Sequence, residues 1–289
     1  MTPYSAPLED MRFVLNHVVG LNEITKLPGF EGIDTNLTNQ ILEEAGKFSS
    51  NILAPLNHLG DTKGAQIENG VVRPVEGFGN AYKQWAQAGW NSSPFDADHG
   101  GQGLPWTLTT ALWEMWDSAN MAFSLCPLLT QAAIDALERH ASNEQKEIYL
   151  EKLVSGEWTG TMNLTEPQSG TDLGTIRTSS IKEDDHYRIK GQKIYITWGD
   201  HDMTENIIHI VLAPMIDAPP GNKGLSLFLV PKFLVNDDGS LGERNDLKVV
   251  SSEEKLGIHA SPTCVMSFGE DTGAIGYLIG KPGDGLACM

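Results

Sequence analysis

Positive charge is scarce in this chain. Twenty Lys and Arg stand against 38 Asp and Glu among 289 residues, a net charge of −18. So acidic a balance repels nucleic-acid backbones and anionic lipid surfaces, and neither is expected as a partner. Small anionic ligands stay open, because backbone N–H groups and a few local cations can hold them. Cysteine is scarce too: Cys126, Cys264 and Cys288 are widely spaced, odd in number and form no CxxC pair. That points to reduced thiols, a cytoplasmic setting and no zinc site. No apolar run reaches the ~18 residues of a membrane span. The start, "MTPYSAPLEDMRF", puts Glu9 and Asp10 where a signal peptide needs positive charge and an apolar run. There are no internal repeats, no GxGxxG after a strand, no Walker loop and no HExxH.

What is present divides in two. Apolar residues recur at helical spacing in Leu8, Met11, Val14, Leu15 and Val18, and again from Leu37 through Ile41, Leu42, Ala45, Phe48 and Ile52 to Leu56. Helices are predicted over 8–19, 35–57, 80–88, 107–120, 127–139 and 142–153, the last capped by Ser142. "DADHGGQGLP", from Asp96 to Pro105, breaks the pattern as a glycine-rich turn. Near Trp158 the period changes. "HYRIKGQKIYIT" alternates around an expected turn at Gly191, and "IIHIVLAP", "GLSLFLVPK" and "TCVMSFG" are short strands with Gly and Pro punctuation. The expected class is α+β: an all-helical domain over 1–158, then an antiparallel β-barrel-like domain over 159–275.

At the boundary lies "TGTMNLTEPQSGTDLG", from Thr159 to Gly174. Pro167 fixes a backbone dihedral, Gly170 permits close approach, and Thr165, Ser169 and Thr171 offer hydroxyls. Successive N–H groups there would form an anion-binding concavity suited to a polar heterocycle with phosphates; a capped connector between domains reads equally well. "KIYITWGDHD" could present a flat aromatic face, or could be an ordinary strand with core aromatics. Glu114, Glu166, His99 and His201 are general bases by residue type, yet each has a commoner structural reading, and none is assigned that role.

These residues resemble a known family. "LTEPQSGTD" resembles the "TEPxAGSD" loop of the acyl-CoA dehydrogenases, "KIYIT" their "KxWIT" strand, and "EEKLGIHASPTCVMSF" their "KxGxRxSxTxxxxF" segment. "IGYLIGKPGDGL" looks like the run into their carboxy-terminal helical bundle. The motifs occur in family order from residue 35 onward, with Tyr195 in place of the usual tryptophan and Gln168 in place of a small residue. The resemblance implies FAD in the interdomain cleft, held by Met162, Asn163, Leu164, Thr165, Gly170 and Thr171 on one side and Tyr195, Ile196 and Thr197 on the other. It implies an acyl-CoA substrate touched by Thr171 and, at the acyl end, by Phe123 and Ser124, although Phe123 reads equally well as plain core. It also implies α,β-dehydrogenation, an electron-transfer flavoprotein as acceptor, and a homo-oligomer. The family's base is a glutamate in the helical bundle, so it is expected beyond Met289, with 276–289 as the start of that missing bundle. A non-catalytic FAD-binding or assembly module and an acyl-CoA oxidase relative remain alternatives.

Overall fold

A computed structural model describes residues 3–236 and 238–289. Helix α1 (Leu8–Phe13) widens into a π-turn through Val19 and ends where Gly20 turns left-handed. After α2 (Leu21–Ile24) comes α3 (Thr35–Phe48), whose first turn is capped by Asp34 accepting from the Leu37 N–H at 2.8 Å. A π-turn over Ser49–Leu53 joins it to α4 (Ala54–Lys63). Strands β1 (Gln66–Glu68) and β2 (Val71–Arg73), α5 (Phe78–Gln87), α6 (Trp106–His140) and α7 (Asn143–Ser155) follow. Ser142 forms the expected cap, in a reciprocal box with Gln145. The core of this half is aromatic: Phe78, Trp85, Trp113, Trp116 and Phe123 pack together, with Trp85 edge-on to Trp116 at 4.4 Å. Among the described residues no helix is long and apolar enough to cross a membrane.

The second half holds β3 (Thr159–Asn163), β4 (Ser179–Glu183), β5 (His186–Thr197), β6 (Ile207–Pro214), β7 (Leu225–Pro231), β8 (Phe233–Val235), β9 (Leu241–Arg244), β10 (Leu247–Glu253), β11 (Thr263–Phe268), β12 (Ala274–Ile279) and the short α8 (Gly285–Cys288). One sheet runs β10-β11-β5-β12-β7-β6-β3, with β4 beside β5. Alternation sorts its faces. Ile208, Ile210 and Leu212 of β6 pack on Ala133, Ile134 and Leu137 of α6 and on Leu150 and Leu153 of α7. Val211 and Ala213, between them, join Ile189, Phe228, Met266 and Phe268 in a separate inner core.

The α+β expectation holds, with five local corrections. The first half is not all helix, because β1 and β2 make a hairpin around Asn69-Gly70, both left-handed, the pair that a tight hairpin favours. The helices expected over 107–120 and 127–139 are one element, interrupted only at Asn120 (φ −162°, ψ 84°). Its side chain mends the break, accepting from the Phe123 N–H and donating to the Leu53 carbonyl. Gly191 is no turn: β5 runs through it, and its missing Cβ matters because one would sit 2.5 Å from the Thr178 hydroxyl. The sheet is not wholly antiparallel, since β3 lies parallel to β6. Finally, the sheet continues through β12 to Ile279, past the expected edge at 275.

Candidate functional site

The loop after β3 folds on itself around Pro167 and Gln168. The Glu166 N–H donates to the Ser169 carbonyl at 3.0 Å and the Ser169 N–H to the Glu166 carbonyl at 2.9 Å. Beneath it lies a buried ion pair. Lys193, fully buried, donates from Nζ to Glu166 Oε1 and to the Leu164 carbonyl, both at 2.9 Å. Glu166 also accepts from the N–H groups of Arg177 and Thr178, the Thr178 hydroxyl and the Gln168 amide. Burial alone would raise the Glu166 carboxyl, but Lys193 and these donors bring it down to about 2. Burial pulls the Lys193 ammonium down to about 8, while Glu166 pushes it back up. The pair is therefore ionised at neutral pH.

The second segment is shaped by a bulge. Ile196 pairs with Cys264 and Lys193 with Met266, so Ile194 and Tyr195 together oppose Val265. Tyr195 takes a left-handed φ of +60° and is 52% exposed, with the Lys255 ammonium 5.7 Å from the ring centre. The displaced Ile194 N–H donates to the Thr165 carbonyl at 2.9 Å, tying the two segments together. Trp198 is also left-handed, at +53°. Two such non-glycine residues in four are costly and cluster where geometry is imposed. The Trp198 indole stacks on Phe78 and donates to the Ala122 carbonyl at 3.0 Å, so the bulged strand is docked on the break in α6.

The facing groups of this surface are uncommitted. The N–H groups of Leu164, Thr165, Gly170 and Thr171 make no hydrogen bond to a described residue, nor do the hydroxyls of Thr165, Thr171 and Thr197. Thr165 and Thr197 are half-buried, Gly170 and Thr171 exposed. A Cβ built on Gly170 would lie 3.9 Å from Thr165 Cγ2, so the loop's two ends converge. Such a surface suits a flat, hydrogen-bonding ligand with an anionic tail.

Thus the structure joins the Leu164–Thr165 end of the loop to the bulged strand at Ile194, next to Tyr195, and brings Gly170 back against Thr165; Thr171 and Thr197 lie further along the same two segments. Met162 packs toward the helices, Ile196 is buried in the inner core, and Asn163 is buried with its Nδ2 on Thr161 Oγ1 at 2.8 Å. Phe123 sits wholly inside the aromatic core, and Ser124 bonds Asp117 at 2.5 Å. Of the general bases considered, Glu166 is fully engaged by its donors. His201 is buried, its Nε2 3.0 Å from Thr159 Oγ1, and burial with nearby Lys232 lowers it to about 3. Glu114 faces Asp10 across a cavity of about 390 Å³ between α1 and α6, and His99 sits in the turn before α6. Sequence reasoning missed the partnership of Lys193 with Glu166. Its only trace is the placing of each inside one of the two motifs.

Comparison with known proteins gives two family models: "Acyl-CoA dehydrogenase, N-terminal domain" matches residues 36–157, and "Acyl-CoA dehydrogenase, middle domain" matches residues 161–270. The 3-methylmercaptopropionyl-CoA dehydrogenase of Ruegeria pomeroyi is 47% identical over 287 residues, covering 99% of this chain and 48% of that protein. A butyryl-CoA dehydrogenase of Syntrophomonas wolfei is 37% identical over 292 residues, covering 98% and 47%. The chain thus spans about half the length of these relatives. The solved butyryl-CoA dehydrogenase of Megasphaera elsdenii shares the fold with TM-score 0.69 at 23% identity, over 89% of this chain and 62% of that one.

Proposed function

The chain belongs to the acyl-CoA dehydrogenase family, and from that premise we propose that it supplies the FAD-holding part of an enzyme that desaturates an acyl-CoA between its α- and β-carbons. The observation that carries the reading is the bond from the Ile194 N–H to the Thr165 carbonyl, which makes one surface of the loop and the bulged strand. The residues fit the cofactor: uncommitted hydroxyls on Thr165 and Thr197 for a heterocycle edge, the Tyr195 ring for a face, and free N–H groups at Gly170 and Thr171 for a diphosphate. Bound there, FAD supplies a hydride acceptor.

The chain's own residues orient and exclude. Thr171, exposed at the loop's end, reaches toward the CoA side. Met162, Asn163, Leu164 and Ile196 back the surface, and Phe123 and Ser124 shape the acyl end from behind, through the break in α6 that Trp198 grips. None of three candidate bases is poised for the α-proton: Glu166 is fully engaged, His201 is buried in neutral form and Glu114 lies against α1; the family resemblance implies that a glutamate of the carboxy-terminal helical bundle takes it. An electron-transfer flavoprotein takes the electrons, and the whole protein works as a homo-oligomer.

The test is cofactor retention. The purified chain mixed with FAD should turn yellow and hold it through gel filtration. Thr165→Val should weaken the affinity about tenfold, the equivalent of a lost hydrogen bond of ~1 kcal/mol or a little more. A colourless wild-type chain, or identical affinity in the variant, sinks the assignment.

A further inference from the structure

The Lys193 ammonium is sealed behind the loop, yet one of its two bonds is to the backbone that faces the proposed ligand. Nζ holds Glu166 on one side and the Leu164 carbonyl on the other. No peptide bond of the described residues is cis. In a planar trans unit the carbonyl and the N–H point to opposite sides. The Leu164 oxygen points inward to the cation, so the Thr165 N–H points the other way, and it has no partner among the described residues. The next peptide unit is pinned as well, its Thr165 carbonyl held by the Ile194 N–H, so Thr165 is anchored on both sides. A full positive charge on the oxygen polarises the peptide and strengthens its N–H as a donor in a buried, weakly screened setting.

Stability alone is a poor reason for this pair. Buried ion pairs are often matched or bettered by apolar side chains of similar volume, because both charges must be desolvated. Glu166, spoken for by five donors, keeps the ammonium charged where burial opposes it and cannot turn toward the ligand face.

We propose that Lys193 is a positioning residue for the cofactor: acting through the Leu164–Thr165 peptide, it presents a charge-assisted N–H that favours the reduced, more negative flavin over the oxidised one. The proposal rests on the FAD reading above, and the experiment separates the two. The full chain is loaded with FAD, and its affinity for oxidised FAD and its two-electron midpoint potential are measured. The variants are K193R, which keeps the charge, and K193M/E166Q and K193Q/E166Q, which remove both charges together. Circular dichroism and thermal melting check that each folds.

The neutral pairs should hold oxidised FAD within a few-fold of wild type and lose about tenfold in preference for the reduced form, a potential lower by ~30 mV for two electrons. K193R should stay near wild type. Three results overturn the proposal: a neutral pair that binds FAD with an unmoved potential, a K193R potential as low as that of the neutral pairs, or failure of both neutral pairs to fold. A wild-type chain that takes up no FAD removes the reading underneath instead, and is told apart because no potential exists to compare.

Discussion

The two halves of this molecule are held together by different means. In the helical half, space is filled. Trp85, Trp116 and Phe123 lie against one another, and the indole N–H groups of Trp85, Trp90 and Trp116 are buried without a partner. Ring packing there outweighs unmet hydrogen bonds. The β half carries two buried cations, Lys193 and Lys232, each on a carboxylate: Glu166 at 2.9 Å and Asp200 at 2.5 Å. Asp200 also accepts from the Val72 N–H of β2, so the second pair reaches into the helical half. Packed rings resist compression but leave direction loose, whereas ion pairs fix direction and punish the loss of one member. The candidate site, at the Thr165 loop and the bulge of β5, lies where the second kind of construction meets the first.

The sharpest way to break this contrast is to remove a cation. Lys232→Met should cost about 3–5 kcal/mol in urea unfolding, because Asp200 is left charged and buried. Adding Asp200→Leu should recover part of that loss, although the Val72 N–H then lacks its acceptor. If the single change costs less than ~1 kcal/mol, direction is not being held as argued.

Acid probes the same half more gently. His201 and His209 are fully buried, and burial first, then Lys232, lowers both from 6.5 to about 3. Both are neutral in the fold and take up protons first in the unfolded chain. The stability tied to their neutrality is complete above pH 6.5 and falls as pH drops from 6.5 toward 3. Each should account for about 2 kcal/mol between pH 7 and 5. Glu166, held at about 2, contributes in a lower window: its share is full above the ordinary carboxyl value and is lost as pH falls through about 2. Melting curves of His201→Asn and His209→Asn should be flatter between pH 6.5 and 5 than those of wild type. Parallel slopes would mean that the histidines do not titrate as placed.

The helical half should answer more mildly, even to a change that trims a buried ring. Phe123→Leu should cost about 1 kcal/mol of thermal stability and leave affinity for oxidised FAD unchanged. A large loss of FAD with little loss of stability would move Phe123 from the core to the ligand surface. Smallest, Ser142→Ala should cost ~1 kcal/mol or less, as the loss of an exposed helix cap does.

How far the sequence carried depended on the range of each signal. The change of hydrophobic period near Trp158, the box at Ser142 and the loop at Thr165 are written in neighbouring residues, and the family, helical half and sheet followed from them. Asn69-Gly70 was an equally local hairpin signal, passed over because the helical pattern surrounds it. Gly191 reads as a turn because glycine usually marks one. The close approach of Thr178 that demands it involves a residue thirteen positions earlier, with no local trace. The bulge at Tyr195 depends on register with β11, and the pairing of Lys193 with Glu166 on folding a loop back over a strand. Neither periodicity nor composition encodes such contacts.

The parallel pairing of β3 with β6 also bears on when the ligand surface comes into being. As the chain leaves the ribosome, Thr159–Asn163 emerges with α6 to lie on but no strand to pair with, since its partner Ile207–Pro214 comes only after β4 and β5 have been made. Pairings between distant segments form late, after the closure of the intervening chain. The nascent protein therefore passes through a stage in which the helices up to α7 have been made, but Trp198 and Ala260 have yet to close their core and the Thr165 loop still lacks its footing. The ligand surface is thus finished at the end of this chain's folding, and brief proteolysis during refolding should cut at β3 while the earlier helices are already protected.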